Sequence, residues 1–234
     1  SYSISDGLRG SRLAGSGLYL TGRPTMVTNG ASQTTYGQYD ALGRVLESTQ
    51  TTGGVSYPFT YTYNRTGAMT GMTFQSGRTE AWAYDTANRL SGVSGAPSGG
   101  SSKSYASSIL YWPQGEISQM TLGNNLVEVR SFSSDRLQPN KVTLGTSASD
   151  SSLLSVGVFY CQNSGLSCTN NNGNVQSEVI GPLNVTQIYG YDTVNRLVSA
   201  QEGSTWSETY GYDLFGNRWA NSPQGLPSAL TPMS

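Results

Sequence analysis

The stretch YGYDTVNRL (residues 189–197) reads as an incoming strand, a tight turn and an outgoing strand, and WAYDTANRL (82–90) repeats it almost letter for letter. In both, two aromatics stand two residues apart, so on a strand they share one face, while Gly190 or Ala83 between them points the other way. An Asp follows at the first turn position, Asp192 or Asp85. Three residues later comes Asn195 or Asn88, a residue type that tolerates the left-handed backbone. That order suits a type I turn ended by a left-handed residue, the three-residue hairpin loop closed by a bulge.

Working outward, the same order recurs in YDALGRVL (39–46), YTYNRTGAM (61–69) and YGYDLFGNRW (210–219). The turn residues are then Asp40, Gly43 and Arg44; Asn64 and Gly67; Asp85, Asn88 and Arg89; Asp192, Asn195 and Arg196; and, with the Arg displaced by one position, Asp213, Gly216 and Arg218. Weaker copies are LYLTGRP (18–24), LYWPQGEI (110–117), RSFSSDRL (130–137) and an interrupted copy over 158–175. Gly43 stands 21 residues after Gly22, Asn88 21 after Gly67 and Gly216 21 after Asn195, so a two-strand unit underlies longer steps elsewhere. About nine such units predict about eighteen strands, each ~7 residues and ~23 Å long, and an open sheet of that many strands curls. The expected fold class is therefore all-β: tandem β-hairpin repeats in a long, curled antiparallel sheet, spiral, shell or barrel-like, with residues 1–234 as a single array. Two Gly/Ser-rich stretches, 91–104 and 145–155, read as flexible insertions within it.

The Asp and Arg of each turn are placed to pair across the loop or with the next repeat. A residue repeated in every unit serves what every unit shares, so these carboxylates read as structural and not as general acids or bases. Tyrosine makes up 15 residues against 5 Phe, and its hydroxyl can reach a hydrogen-bond partner or water at the margin of an aromatic row.

Composition narrows the chemistry. Histidine is absent, which removes Ser-His-Asp and Cys-His hydrolysis, His-ligated zinc and an imidazole switch. Thirteen basic against fourteen acidic residues leave a net charge of −1, with no polybasic footprint for nucleic acid. No apolar run is long enough to cross a bilayer as a helix, so membrane insertion is not expected. The first residue is Ser1, with neither an initiator Met nor a signal peptide after it, and the chain reads as a processed or excised piece. Cys161 and Cys168 bracket a polar loop; joined, they close a ring of eight residues worth about 2.5 kcal/mol, and otherwise they stand as two thiols. A disulfide would favour an oxidising, extracytoplasmic setting. The NNNGN run (170–174) lacks the alternating carboxylates of a calcium loop and reads as Asx turns. Asn64-Arg65-Thr66 and Asn184-Val185-Thr186 satisfy the glycosylation pattern, but a Ser/Thr-rich chain yields a few such triplets by chance, and Asn64 occupies the turn-capping Asp position. Neither a cofactor nor a metal is expected.

The turn pattern resembles the YD-repeat, or RHS-repeat, family, whose unit is YDxxGR preceded by an aromatic two residues back. The resemblance runs from about Gly17 to Ala220 and rests on the five clear copies. It implies hairpins wound side by side into a spiralling sheet, as in shells that enclose the toxic C-terminal segment of secreted bacterial toxins and in the extracellular barrel of an animal adhesion receptor. Bacterial shells of the family often end in a self-cleaving Asp-Pro-x-Gly core, and none of the nine prolines here follows an Asp.

The function expected is a non-enzymatic extracellular or cell-surface wall or scaffold segment, whose partners are other YD repeats of the same or a neighbouring chain. Its alternatives are a self-assembling filament subunit or homo-oligomer, a toxin-encapsulating shell fragment, and an adhesion module binding carbohydrate through exposed rings such as Trp112 and Trp206. A carboxylate-based glycosidase is the enzyme alternative and needs two carboxyls about 5–9.5 Å apart.

Overall fold

The computed structural model describes residues 3–6, 19–161 and 171–221. The described residues form eighteen strands and no helix. Two compact units divide the chain, one of Ser1–Ile109 with Leu122–Asn124 and one of Leu110–Thr121 with Asn125–Ser234. The first carries β1 (Ser3–Asp6), β2 (Pro24–Thr28), β3 (Ser32–Tyr39), β4 (Val45–Thr52), β5 (Val55–Tyr63), β6 (Met69–Thr73), β7 (Thr79–Tyr84), β8 (Leu90–Ala96) and most of β9 (Lys103–Tyr111). The second carries most of β10 (Ile117–Leu122), then β11 (Val127–Phe132), β12 (Pro139–Gly145), β13 (Leu154–Phe159), β14 (Ser177–Ile180), β15 (Val185–Tyr191), β16 (Leu197–Glu202), β17 (Trp206–Tyr212) and β18 (Arg218–Ala220).

Within each unit every strand pairs antiparallel with its chain neighbour, as in Tyr61 opposite Met72 or Tyr189 opposite Ala200. The result is a meander, in which alternate turns necessarily fall on the same edge. The Tyr-Asp turns all join an odd-numbered strand to the next even-numbered one, so within a unit they line one edge, and the return turns line the other.

Alternation along the strands follows the aromatic spacing. In β5, Phe59, Tyr61 and Tyr63 are half-buried while Thr60 and Thr62 are exposed; in β7, Trp82 and Tyr84 are half-buried while Ala81 and Ala83 are exposed. Phe59 lies edge-on to Phe74 at 5.8 Å, and Trp112 edge-on to Phe132 at 6.2 Å. Deep burial is scarce, because a single layer of sheet has no second layer to cover it. Among the described hydrophobic residues only Tyr39, Ile109, Cys161 and Ala200 are buried.

The stretch 91–104 departs from the flexible loop its composition suggests. Residues 91–96 belong to β8 and 103–104 to β9, leaving a turn closed by the Gly100 N–H on the Pro97 carbonyl. The glycines answer a need for space: a Cβ on Gly95 would stand 2.8 Å from the Thr79 carbonyl oxygen and 2.9 Å from the Tyr105 ring. In 145–155 the ends likewise belong to strands, and the loop between them is tied by Asp150, whose carboxylate accepts from the Thr146 and Ser152 backbone N–H groups at 2.7 and 2.9 Å. Cys161 is disulfide-bonded and buried; Cys168 lies outside the described residues.

Candidate functional site

The turn edge is where the repeated residues meet. At Asp40 the backbone N–H donates to the Arg44 carbonyl and the Gly43 N–H returns to the Asp40 carbonyl. The Asp40 carboxylate accepts the Leu42 and Arg44 N–H groups, both at 2.9 Å, on one oxygen and the Arg44 guanidinium on the other. Gly43 has φ +90°, the left-handed region in which a β-carbon collides with the backbone. Asp85 with Asn88 and Arg89, and Asp192 with Asn195 and Arg196, repeat every one of these bonds. Their Asn88 and Asn195 have φ +60° and +64°. A register shift beside Tyr39, Tyr63, Tyr84 and Tyr191 marks the bulge that completes each loop.

Three turns depart from the pattern. Asn64 caps its own loop by accepting the Ala68 N–H at 2.9 Å and has no Arg four residues on. Asp213 and Arg218 do not pair. Asn217, standing where Arg occupies the other loops, gives its side-chain amide to Asp213 at 2.7 Å, and Arg218, one residue further along, lies over the Tyr210 ring at 4.6 Å. The third departure is an addition, because Phe74 and Gly77 build the same loop on the opposite edge without an Asp, and FQSGR carries no Tyr-Asp to announce it. The weak copy at 110–117 closes identically around Trp112 and Gly115, whereas the copy at 130–137 is one residue longer, with Leu137 at φ +54°.

Each turn is also fastened to the neighbouring repeat, and the tyrosine before the Asp is the fastener. Its hydroxyl donates to a backbone carbonyl just past the previous turn: Tyr39 to Pro24 at 2.6 Å, Tyr63 to Val45 at 2.9 Å, Tyr84 to Met69 at 2.7 Å, Tyr191 to Val175 at 2.8 Å and Tyr212 to Leu197 at 2.7 Å. Tyr160 repeats the bond to Pro139 at 2.9 Å, whereas Trp112 reaches the other way, its indole N–H donating to the Arg130 carbonyl of the following repeat at 2.9 Å. The guanidinium joins from the other side: Arg44 lies 4.9 Å from the Tyr63 ring centre and donates to the Asn64 carbonyl, and Arg196 lies 4.6 Å from the Tyr212 ring centre. Only the use of Tyr in place of Phe at these positions signalled the hydroxyl bond.

The asparagines at the left-handed position of two Tyr-Asp turns, Asn88 and Asn195, have a second task that sequence reasoning missed. The Asn88 side-chain carbonyl accepts from the Asn64 amide at 2.8 Å and the Thr66 hydroxyl at 2.6 Å; that of Asn195 accepts from Asn172 and Asn174 at 2.9 and 3.0 Å. Asn88→Gly is therefore expected to lower stability by about 0.5–1.5 kcal/mol, although Gly suits the backbone better. Urea denaturation checks this, and a variant as stable as the parent or more so would refute the cross-link.

Charge at this edge is internally settled. The Arg89 and Arg196 backbone N–H groups hold Asp85 and Asp192 below the usual 3.8, and the Asn217 amide does so for Asp213. At Asp40 burial raises the pKa, but the bonds from Arg44 outweigh it. On the half-buried face, burial and then Glu178 push the Tyr189 hydroxyl up to about 12. A carboxyl lowered by folding stabilises above its unfolded pKa and loses that as pH falls through the folded value; a raised tyrosine stabilises fully below 10.0 and loses that on ionisation. With no histidine to titrate between, the thermal midpoint is expected to be level from about pH 5 to about pH 9 and to fall below about pH 4 and above about pH 10. A slope of more than a few degrees across the plateau, followed by calorimetry, would contradict this.

Two shallow depressions lie in the second unit. One, of about 460 Å³, is lined by Ser131, Asn140, Lys141, Gly157 and Phe159 and has no carboxylate; the other, of about 630 Å³, holds Glu116 and Glu128, the latter paired with Arg130 at 2.6 Å. Asn171 and Asn172 accept the Gly173 and Asn174 N–H groups as Asx turns. The Trp112 indole is taken up by Arg130 and Phe132, while Trp206 is half-buried at the start of β17.

No protein-family model and no curated protein matches the chain. Solved structures do match: a TcdB2-TccC3 crystal structure has a TM-score of 0.74 at 19% identity over 88% of this chain, and the Tc holotoxin pore of Photorhabdus luminescens has 0.72 at 19% over 89%. The chain shares its fold with a segment of these toxin complexes. It spans 12% of the length of either matched chain.

Proposed function

We propose that this chain is a stretch of the wall of a YD-repeat shell that encloses a polypeptide cargo outside the cell, and that it performs no catalysis itself. The carrying observation is the ladder. Every repeated polar group, from the Asp40 carboxylate to the Tyr212 hydroxyl, is spent on its own turn or on the neighbouring repeat. Such an economy suits a surface that must hold its form and leaves little for chemistry. The likeness to segments of Tc toxin structures favours the enclosing version over a stalk or an adhesion surface. The half-buried aromatic face is the one that gains from cover, so it is assigned to the cargo side.

A photo-cross-linking residue placed at Tyr61 or Trp82 in the intact polypeptide that carries this chain is expected to capture a distant segment of that polypeptide. The same probe at Thr62 or Ala83, on the opposite face, is expected to capture none. Equal capture from both faces, or from neither, would overturn the reading.

A further inference from the structure

Departures from the repeat gather at one place in the second unit. In the turn after β9, Trp112 stands where other turns carry Asp40, Asp85 or Asp192, and Glu116 stands where they carry Arg44, Arg89 or Arg196. At the end of β11, Phe132 takes the position of the fastening tyrosine. Leu137, in the turn that follows, adopts φ +54°, a left-handed backbone that Gly or Asn supplies elsewhere and that a large side chain disfavours. A residue shared by every unit serves the fold; residues that break the pattern together serve something local. Glu116, Phe132 and Leu137 all line the depression of about 630 Å³, and Pro139 and Val142 extend its apolar floor.

The rest of the chain shows what such a place holds. At Tyr39, Tyr63 and Tyr212 the arginine of the preceding turn lies over the ring, 5.3, 4.9 and 4.6 Å from its centre. No guanidinium of the described residues lies over Phe132, whose ring contact is the edge of Trp112. The preceding turn brings the Glu116 carboxylate to the same depression, and no described residue bonds or pairs with it.

We infer that this depression takes an arginine side chain from another segment, its guanidinium over Phe132 and paired with Glu116, its aliphatic stem along Leu137 and Pro139. The inference rests on the wall reading and names what the enclosed polypeptide presents here. Charge agrees: Glu128 is already neutralised by Arg130 at 2.6 Å, which leaves Glu116 to receive the cation. Ser131 and Lys141 also border the depression, but strand alternation turns them to the opposite face, where they line the other one. The side is right as well. Pairing through Val142, Val156, Ile180 and Val185 places Arg130 on the face that carries Tyr189, the face assigned to the cargo. A planar guanidinium can stack on a ring and bond a carboxylate in one pose, which favours Arg over the point charge of Lys.

Titration of the chain with N-acetyl-arginine amide tests the chemistry, read from the Trp112 indole N–H resonance, which Trp112→Phe identifies. The expected result is a saturable shift of that resonance with those of Trp82, Trp206 and Trp219 unmoved. Binding should be at least about tenfold weaker for the uncharged N-acetyl-citrulline amide and for the Glu116→Gln variant, and weaker for N-acetyl-lysine amide. Glu116 is exposed, so the variant should keep the parent circular dichroism. Equal binding of either analogue, an unchanged affinity in Glu116→Gln, or no saturation would overturn the inference. The source is tested by a photo-cross-linking residue at Gln114, on the lining of the depression, in the intact polypeptide that carries this chain. It is expected to capture an arginine-bearing segment of that polypeptide, with capture lost when that arginine becomes Gln. Capture of a separate chain, of a segment without arginine, or of nothing would overturn the assignment. None of these outcomes alters the cross-linking result from Tyr61 and Trp82, so the two readings fall separately.

Discussion

Replacing Tyr39 with Ala is expected to cost about 3–5 kcal/mol of unfolding free energy, a large loss for a chain with so little deep burial. Tyr39 is only 5% exposed, its hydroxyl donates to the Pro24 carbonyl at 2.6 Å, and Arg23 lies 5.3 Å from its ring centre while donating to the Asp40 carbonyl. Truncation leaves a hole under Arg23, frees the carbonyl of Pro24 and loosens β2 from the turn after β3. Tyr39→Phe separates the contributions: the ring stays and only the hydroxyl goes, for an expected cost of about 1–2 kcal/mol. Urea titrations of both variants measure this. Equal losses would place all the value in the hydroxyl, and a loss below about 1 kcal/mol for Ala would remove Tyr39 from the fastening role.

Gly95 gives the second large effect, and its sign separates a loop from a strand. In a flexible Gly/Ser loop, exchanging Gly for Ala stabilises by about 0.4–1 kcal/mol through the unfolded chain. Here Gly95 lies opposite Glu80 and Lys103, with the Thr79 carbonyl and the Tyr105 ring closing the space a β-carbon would take. Gly95→Ala is therefore expected to destabilise by about 1–3 kcal/mol, and Gly95→Val by more. Thermal unfolding decides it. A stabilised Ala variant would return residues 91–104 to a loose insertion.

What the sequence disclosed and what it withheld divide along a physical line. Strand pairing, turn type and the aromatic face follow from local patterns: two-residue alternation, Asp at the turn start and Gly or Asn at the left-handed position. Those patterns were enough for an antiparallel sheet of hairpins. Residues 91–104 misled because Gly and Ser have two uses, slackness and close approach, and only neighbours such as Tyr105 tell which applies. The turn at Phe74 escaped because backbone bonds alone close it. Links between repeats were legible in part: Arg44 beside Asp40 suggested pairing across the turn or onward, and the structure has both. At Asp213 the displaced Arg218 broke the rule, and nothing in the letters said that Asn217 would substitute. The Asn88 bond to Asn64 spans 24 residues, and no single-sequence pattern encodes it.

The tyrosine-to-carbonyl fastening has a consequence for how such a protein lengthens over generations. Its donor is supplied by each of the five clear units and its acceptor is a backbone carbonyl, so a duplicated or excised unit of 21 residues of that kind brings its own hook and its own eye. Gene slippage by whole units would change the number of strands without asking any existing residue for a new bond. Slippage by half a unit would put Tyr-Asp on the wrong margin of the ribbon, and selection would see it at once.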